Sequence, residues 1–319
     1  MLSPEFHQLH DVESAPLAAE AAAGLMAKAA RASPKFFYDA LGSRLFDAIT
    51  ELDEYYPTRT EAAIFTAEMS AMAAAVRKHL GTDYSLIDLG AGNCEKAARL
   101  FDPLAPRRYV AIDISVEFLR AAVERLQRQH PGIDMVGVGL DFSARLTLPP
   151  ALRSGPALVF YPGSSIGNFD PQAALRLLRE ARALAEGGML LIGVDLVKPA
   201  AVLEAAYDDA LGVTAAFNLN LLRHLNRLIG SDFHLREWQH IALFNPVDSR
   251  IEMHLQSRHA VSVRWPGGER RFAGGERIHT ENSYKWRRAD FESLLRDAGF
   301  REARAWTDAN EWFALFLAH

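Results

Sequence analysis

The chain has 319 residues, 49% of them hydrophobic and 24% charged, which is enough apolar content for a real core. A formal net charge of −5 speaks against nucleic-acid binding, which leaves a basic excess. One cysteine, Cys94, rules out an intramolecular disulfide and fits a reducing cytoplasm.

The segment from Met1 to Glu13 carries Glu5, Asp11 and Glu13 and lacks the basic start and apolar core of an export signal. The Ala-rich stretch Leu17–Ala30 contains Glu20 and Lys28, is too short for a membrane span and reads as a small-residue helix. Residues 1–60 as a whole read as helix-rich. Five short apolar runs follow: Ser85–Leu89, Tyr109–Ile114, Met135–Leu140, Ala157–Tyr161 and Met189–Val194. Helix-like stretches separate them at Cys94–Phe101, Val116–Gln129 and Pro171–Ala185, the last opened by Asp170 as cap and Pro171 at the first position. Strands alternating with helices predict a parallel sheet covered on both faces. After Val194 come helical stretches (Ala200–Ala210, Leu219–Leu228), then strand-like segments at His240–Asn245, Ser249–Leu255 and Ala260–Val263, with turns at Pro246–Asp248 and Pro266–Gly268. The tail resumes a helix at Ala289–Ala298, stopped by Gly299, and then apolar runs. Lys285 with Arg287 and Arg288 reads as an ordinary solvated face. The expected fold is α/β: a doubly wound, Rossmann-like domain over 61–196 and 287–319, with a second α+β domain built from two distant segments, 1–60 and 197–286.

Asp88-Leu89-Gly90-Ala91-Gly92-Asn93 follows the first apolar run and opens a helix, where glycines allow a tight turn and close approach to a ligand. Asp113 closes the next strand about 20 residues on, the spacing of an acid that accepts from ribose hydroxyls. Asp141-Phe142 ends the third, offering a carboxylate for an adenine amino group and a ring to stack on it. Each feature alone suits a structural corner, cap or core residue; together they point to a nucleoside-bearing cofactor. A dinucleotide fingerprint wants glycine or alanine at position 95, where this chain has Glu95 followed by Lys96. S-adenosylmethionine carries no phosphate, so methyl transfer is favoured over hydride transfer.

Longer strings carry a resemblance. Pro34–Ser43 (PKFFYDALGS), Leu45-Phe46, Glu54–Glu61 (EYYPTRTE), Gly163–Phe169 (GSSIGNF), Tyr207-Asp208-Asp209 with Gly212-Val213-Thr214 and Phe217-Asn218, and Ile278–Ser283 (IHTENS) resemble, in order, the histidine-specific methyltransferase family, which makes the trimethylated histidine betaine used for ergothioneine. The resemblance runs from about residue 33 to the end. It implies that Gly90, Lys96, Asp113, Asp141 and Phe142 hold S-adenosylmethionine, and that Tyr55, Gly163, Asn168, Tyr207, Glu281 and Ser283 bind a free amino acid. In that scheme Asn168 and Tyr207 take the α-carboxylate, with Asn168 also at the amine. Glu281 and Ser283 grip the imidazole, with Tyr55 near its other nitrogen. Tyr38 is the expected amine-proximal hydroxyl, catalytic together with Asn168.

Without the resemblance, Asn168 reads equally as a turn residue, Tyr55 and Tyr56 as core aromatics, and Glu281 and Ser283 as solvent-facing. The chain departs from the family pattern at Asn93-Cys94, where small hydroxyl residues are usual, and at Tyr284-Lys285-Trp286, a bulkier run expected to reshape the ring pocket. Cys94 has no His–Asp partnership and reads as packing. His7 and His10, at helical spacing, and His254 and His259 complete no metal motif, so no metal is expected. The implied enzyme is an L-histidine Nα-methyltransferase, cytoplasmic and monomeric, with no nucleic-acid or membrane partner; no stretch resembles the iron-dependent sulfoxide synthase domain some relatives carry. Rival readings are an N-methyltransferase of another amine such as a tryptophan derivative, which should lack the Glu281/Ser283 pair, and a non-catalytic sensor of an amino acid or of S-adenosylmethionine.

Overall fold

The computed structural model describes residues 2–9, 14–114, 116–153 and 155–319. The strands of the first half are β1 (Glu5–Gln8), β2 (Ser85–Leu89), β3 (Arg108–Asp113), β4 (Asp134–Gly139), β5 (Ala157–Tyr161) and β6 (Met189–Asp195). Those of the second half are β7 (Trp238–Asn245), β8 (Arg250–Ser257), β9 (Val261–Trp265), β10 (Gly268–Phe272), β11 (Arg277–Tyr284), β12 (Ala303–Thr307) and β13 (Phe313–Ala318). The helices are α1 (Ser14–Met26), α2 (Ala40–Thr50), α3 (Tyr56–Leu80), α4 (Glu95–Leu104), α5 (Val116–Gln129), α6 (Pro171–Leu184), α7 (Ala200–Tyr207), α8 (Val213–Ile229) and α9 (Arg288–Asp297). They form two compact units. Unit 1 comprises Met1–Asp11, Arg59–Val197 and Trp286–His319; unit 2 comprises Val12–Thr58 and Lys198–Lys285.

Unit 1 holds an eight-stranded sheet in the order β1-β4-β3-β2-β5-β6-β13-β12, parallel from β1 to β6 and antiparallel at β13 and β12. Strands β2, β5, β6 and β13 are buried along their whole length, which is why they read as mainly apolar runs rather than alternating ones. The period of two survives in which face each residue packs on. Ile87, Leu89, Val110 and Ile112 join the core under α6 and α9, whereas Leu86, Tyr109 and Ala111 join the core under α3, α4 and α5. Strand order reverses between β2 and β5, so the crevice at the carboxyl end of β2 is the topological switch point where such sheets bind ligands.

The helix-rich reading of the first 60 residues needs one correction. Glu5–Gln8 is a strand, paired in parallel with β4, and His7 lies on it; His10 falls outside the described residues. Four residues with one apolar side chain leave little periodicity to detect. The complementary signal sits at Gly137, where a Cβ would come within 2.6 Å of the Phe6 ring, so the bare backbone makes room for that side chain.

Unit 2 is built on the antiparallel sheet β11-β8-β7 and the hairpin β9–β10. Phe217 of α8 stacks on Phe37, ring centroids 4.5 Å apart. Helix α8 begins where Asp209 accepts from Val213 N at 2.9 Å and Thr214 N at 2.7 Å, satisfying two of the helix's opening donors. The Asp208-Asp209…Gly212-Val213-Thr214 string is thus a cap.

Candidate functional site

In unit 1 the turn after β2 is tied to β3 by Gly90 N and Ala91 N, which donate to Ile112 O at 2.9 and 3.0 Å. Gly90 and Gly92 adopt φ of +71° and +54°, the left-handed region that favours glycine. No described residue lies within 4 Å of where a Gly92 Cβ would be, so the turn presents open backbone among the described residues. Asp113, at the end of β3, accepts from Gly92 N through Oδ2 at 2.8 Å, coupling the acid to the turn. Asn93 accepts from Glu95 N at 3.1 Å, so at this departure from the family pattern an amide oxygen takes a donor at the opening of α4. Cys94 is fully buried and burial pushes its thiol up to about 12, which suits packing and not nucleophilic chemistry.

Asp141 follows β4 and accepts from both the amide and the hydroxyl of Ser143, with the amide at 3.1 Å. Phe142 stands edge-on to Tyr161, centroids 5.9 Å apart, and its Cζ would lie 3.8 Å from a Cβ at Gly90. Asp113, Asp141, Phe142 and the glycine turn therefore belong to the carboxyl ends of adjacent strands. Asp88, at the end of β2, accepts from Tyr109 OH at 2.8 Å, and burial raises its carboxyl to about 7.

Lys96 Nζ meets Glu61 Oε2 at 2.6 Å, and Glu61 Oε1 accepts from Gly163 N at 2.7 Å. The Glu61 side chain is 2% exposed against 40% for Lys96. A Cβ at Gly193 would lie 2.2 Å from Glu61 Oε1, so the strand must be glycine there for the carboxylate to fit. Glu61 thus ties Lys96 to the Gly163 turn. In sequence it is only the last residue of Glu54–Glu61, and Gly193 inside an apolar strand is the signal that points to it. Asn168 ends the one-turn 3-10 helix Ser165–Asn168, anchored by buried Ile166 and Gly167, and Ser164 Oγ accepts from Asp195 N at 2.8 Å.

In unit 2, Glu281 and Ser283 lie two apart on β11, opposite Met253 and Ile251 of β8, and so share a face of the sheet. Glu281 is half-buried, and burial lifts its carboxyl to about 7 against the pull of the Lys285 ammonium. Tyr207, the last residue of α7, places its hydroxyl 2.6 Å from Ser283 Oγ. Rings continue from there: Tyr55 is edge-on to Tyr207 at 6.3 Å, Phe46 to Tyr55 at 6.2 Å, and Tyr38 to Phe46 at 5.9 Å. Tyr38, Tyr55, Tyr207 and Ser283 are thus linked through one aromatic series. Tyr56, by contrast, is a core residue, 1% exposed, whose hydroxyl accepts from Lys198 Nζ at 2.8 Å.

The backbone of Tyr207 is held from below. His240 Nε2 lies 2.8 Å from Tyr207 O, and Asn218 Nδ2 lies 2.8 Å from His240 Nδ1. Burial lowers the His240 pKa, and the neutral ring that donates to the carbonyl and accepts from the amide satisfies both contacts. The Phe217-Asn218 motif is thereby supporting structure.

Lys285 does not lie on a solvated face. It is 3% exposed, with Nζ 2.7 Å from Ser283 Oγ and 3.1 Å from Tyr207 OH. The basic run misled because its residues face different ways: Lys285 points into unit 2, whereas Arg288 forms an exposed pair with Glu292.

Fold and cofactor crevice define a class, the Rossmann-like S-adenosylmethionine-dependent methyltransferases, and the open glycine turn, strand-end carboxylates, aromatic ring and lysine suit that cofactor's groups. Residues 17–319 match the family described as histidine-specific methyltransferase, SAM-dependent, and the chain belongs to it. It is 42% identical over 303 residues to the histidine N-alpha-methyltransferase of Mycolicibacterium smegmatis, covering 93% of this chain and 92% of that one. It is 41% identical to the protein of the same name from Mycobacterium tuberculosis, covering 89% of each. It is also 30% identical to ergothioneine biosynthesis protein 1 of Neurospora crassa, covering 88% of this chain and 32% of that protein. Among solved structures, an S-adenosylmethionine-dependent methyltransferase from Clostridium acetobutylicum is 15% identical, covering 87% of this chain and 95% of that one at a TM-score of 0.44.

Proposed function

We propose that this chain methylates the α-amine of free L-histidine, through to the trimethyl betaine hercynine, with unit 1 as the methyltransferase core and unit 2 as the substrate domain. The observation that carries the reading is the set in unit 2: an acceptor (Glu281) and a hydroxyl (Ser283) on one face of β11, with Tyr207 OH 2.6 Å from that hydroxyl. A pocket that hydrogen-bonds a ring nitrogen rejects side chains lacking one far better than an apolar pocket rejects a shape.

S-adenosylmethionine, when bound, supplies a methyl group activated by its sulfonium. The chain's own groups then have separate tasks. Gly90 and the open turn would admit the cofactor's amino-acid end, and Lys96 would offer a cation to its carboxylate. Asp113 would accept from the ribose hydroxyls, Asp141 from the adenine amino group, and Phe142 would cover the base. Glu281 and Ser283 orient the imidazole, with Tyr55 at its other nitrogen. Asn168, carried by the Gly163 turn, would donate to the α-carboxylate, whereas Tyr207, whose one hydroxyl proton goes to Ser283 Oγ 2.6 Å away, would line the carboxylate's place without donating to it. Tyr38, through its hydroxyl, and Asn168, through its amide, would orient the amine. Displacement needs only a neutral, aligned amine, so catalysis is chiefly positioning, and the amine must shed a proton and rotate before each further round. We place the enzyme in the cytoplasm as a monomer acting without nucleic acid or membrane; its single cysteine fits a reducing compartment, its net charge of −5 leaves no basic excess for nucleic acid, and no helix among the described residues is long and apolar enough to cross a membrane.

The test is to incubate the protein with S-adenosylmethionine and the twenty free amino acids and to follow each mass for added methyl units. Histidine should convert selectively to its trimethyl form, and Glu281→Ala should lower kcat/KM for histidine by about 10- to 100-fold. Methylation of another amino acid with histidine untouched refutes the ring assignment.

A further inference from the structure

Ser283 is a hydroxyl, which can donate or accept, and a ring-binding hydroxyl of undecided sense selects poorly. The groups around it decide the sense. Lys285 sits immediately after β11 with its backbone pinned, since Lys285 N donates to Ser249 O at 2.8 Å and Ser249 Oγ donates to Lys285 O at 2.8 Å. Its ammonium, which has donors and no acceptor, reaches Ser283 Oγ at 2.7 Å and Tyr207 OH at 3.1 Å. The phenol of Tyr207, a stronger acid than a serine hydroxyl, is the better donor across the 2.6 Å contact to Ser283. Accepting from both Lys285 and Tyr207 fills the two acceptor positions of Ser283 Oγ and directs its proton elsewhere.

We propose that Lys285 is a positioning residue that makes Ser283 an obligate hydrogen-bond donor, and that the site thereby selects substrates whose ring bears an unprotonated, pyridine-type nitrogen. The proposal rests on the reading of Glu281 and Ser283 as the ring-binding pair. On that face Glu281, once ionised, accepts and Ser283 donates, an order that matches a neutral imidazole with one N–H and one bare nitrogen. An indole or phenyl ring offers Ser283 nothing to donate to. An imidazolium presents an N–H to a group that is already a donor. Because Lys285 acts through Ser283, its removal leaves the hydroxyl in place but frees it to accept, and the loss falls on ring recognition rather than on the reacting amine.

The experiment measures kcat and KM at saturating S-adenosylmethionine for Lys285→Met, Lys285→Arg, Ser283→Ala and the Lys285→Met/Ser283→Ala double variant. The substrates are L-histidine and β-(2-thienyl)alanine, whose five-membered ring has no bare nitrogen. Lys285→Met should raise KM for histidine about 10- to 100-fold with kcat within about threefold, and should shrink the preference for histidine over thienylalanine at least about tenfold. On the Ser283→Ala background the same change should add less than about threefold, and Lys285→Arg, which keeps the donors and the charge, should restore part of the preference. Melting curves check that each variant is folded. If Lys285→Met does not fold, Ser283→Ala and Lys285→Arg still decide: the first must lose the preference and the second must keep part of it. Additive losses in the double variant, or equal losses for the two substrates, overturn the proposal while histidine methylation by the unaltered protein stands. Failure of the unaltered protein to methylate histidine overturns the ring-pair reading and this proposal with it.

Discussion

Glu61→Ala tests the least legible part of unit 1, and its cost can be worked from the contacts. The carboxylate accepts from Lys96 Nζ at 2.6 Å and from Gly163 N at 2.7 Å with a side chain only 2% exposed. Losing the acceptor leaves the Gly163 amide unpaired in a half-buried place, which costs about 1–2 kcal/mol. Lys96 is 40% exposed, so water takes over much of its half and the ion pair adds no more than about 1 kcal/mol. Deleting one buried methylene beyond Cβ removes about 0.8 kcal/mol of burial. The sum is about 3 kcal/mol, or about 4–5 °C in Tm for a chain of this size. Glu61→Gln keeps an oxygen for Gly163 N and loses only the charge opposite Lys96, so it should recover more than half of that loss. Thermal melts followed by circular dichroism, with urea titrations alongside, read both variants. A Glu61→Ala protein melting within about 1 °C of the parent, or a glutamine variant no better than the alanine one, refutes the reasoning.

Glu281 gives a pH-dependent counterpart. Burial raises its carboxyl to about 7, above glutamate's usual value, so the folded state retains a proton that the unfolded chain releases. The resulting stability is complete below the usual glutamate range and is lost as pH rises through about 7. Glu281→Gln cannot ionise there, so its urea midpoint relative to the parent should improve steadily from about pH 5 to about pH 8; a constant offset across that range counts against the buried-carboxylate account. Cys94, buried and with its thiol raised to about 12, should not react with iodoacetamide at about pH 8 until the chain is unfolded by denaturant. Labelling of the native protein at the rate of free cysteine contradicts that burial.

Strand-helix alternation was readable because parallel strands buried on both faces become plain apolar runs, as β2, β5 and β6 do. The places of Asp113 and the glycine turn, at the ends of β3 and β2, were readable because a strand-to-helix glycine turn and an acid about 20 residues on recur at fixed strand ends. What escaped depends on neighbours far along the chain. Glu61 is buried by a glycine 132 positions later (61 to 193), and no local pattern marks a charged residue as internal when its partner, Lys96, and its pocket lie elsewhere. Lys285 escaped for the opposite reason: its neighbours in sequence are basic, and local charge density suggested a surface, whereas Tyr207, 78 residues upstream, supplies one of the oxygens it faces. β1 is decipherable only from its partner, where Gly137 vacates the space Phe6 fills.

The position of β13 has a consequence for biosynthesis. It is an inner strand, flanked by β6 and β12, yet Phe313 pairs with Asp195 across 118 positions of chain (313 − 195). On the ribosome the edge of β6 therefore emerges long before the strand that covers it. At roughly 5–20 residues per second, the wait is about 6–24 s, during which Leu190 to Val194 offer an apolar, unpaired edge to any neighbouring nascent chain. Slower initiation or a lower growth temperature, which thin out such neighbours or weaken apolar association, should raise the soluble yield more for this protein than for one whose sheet closes in order of synthesis.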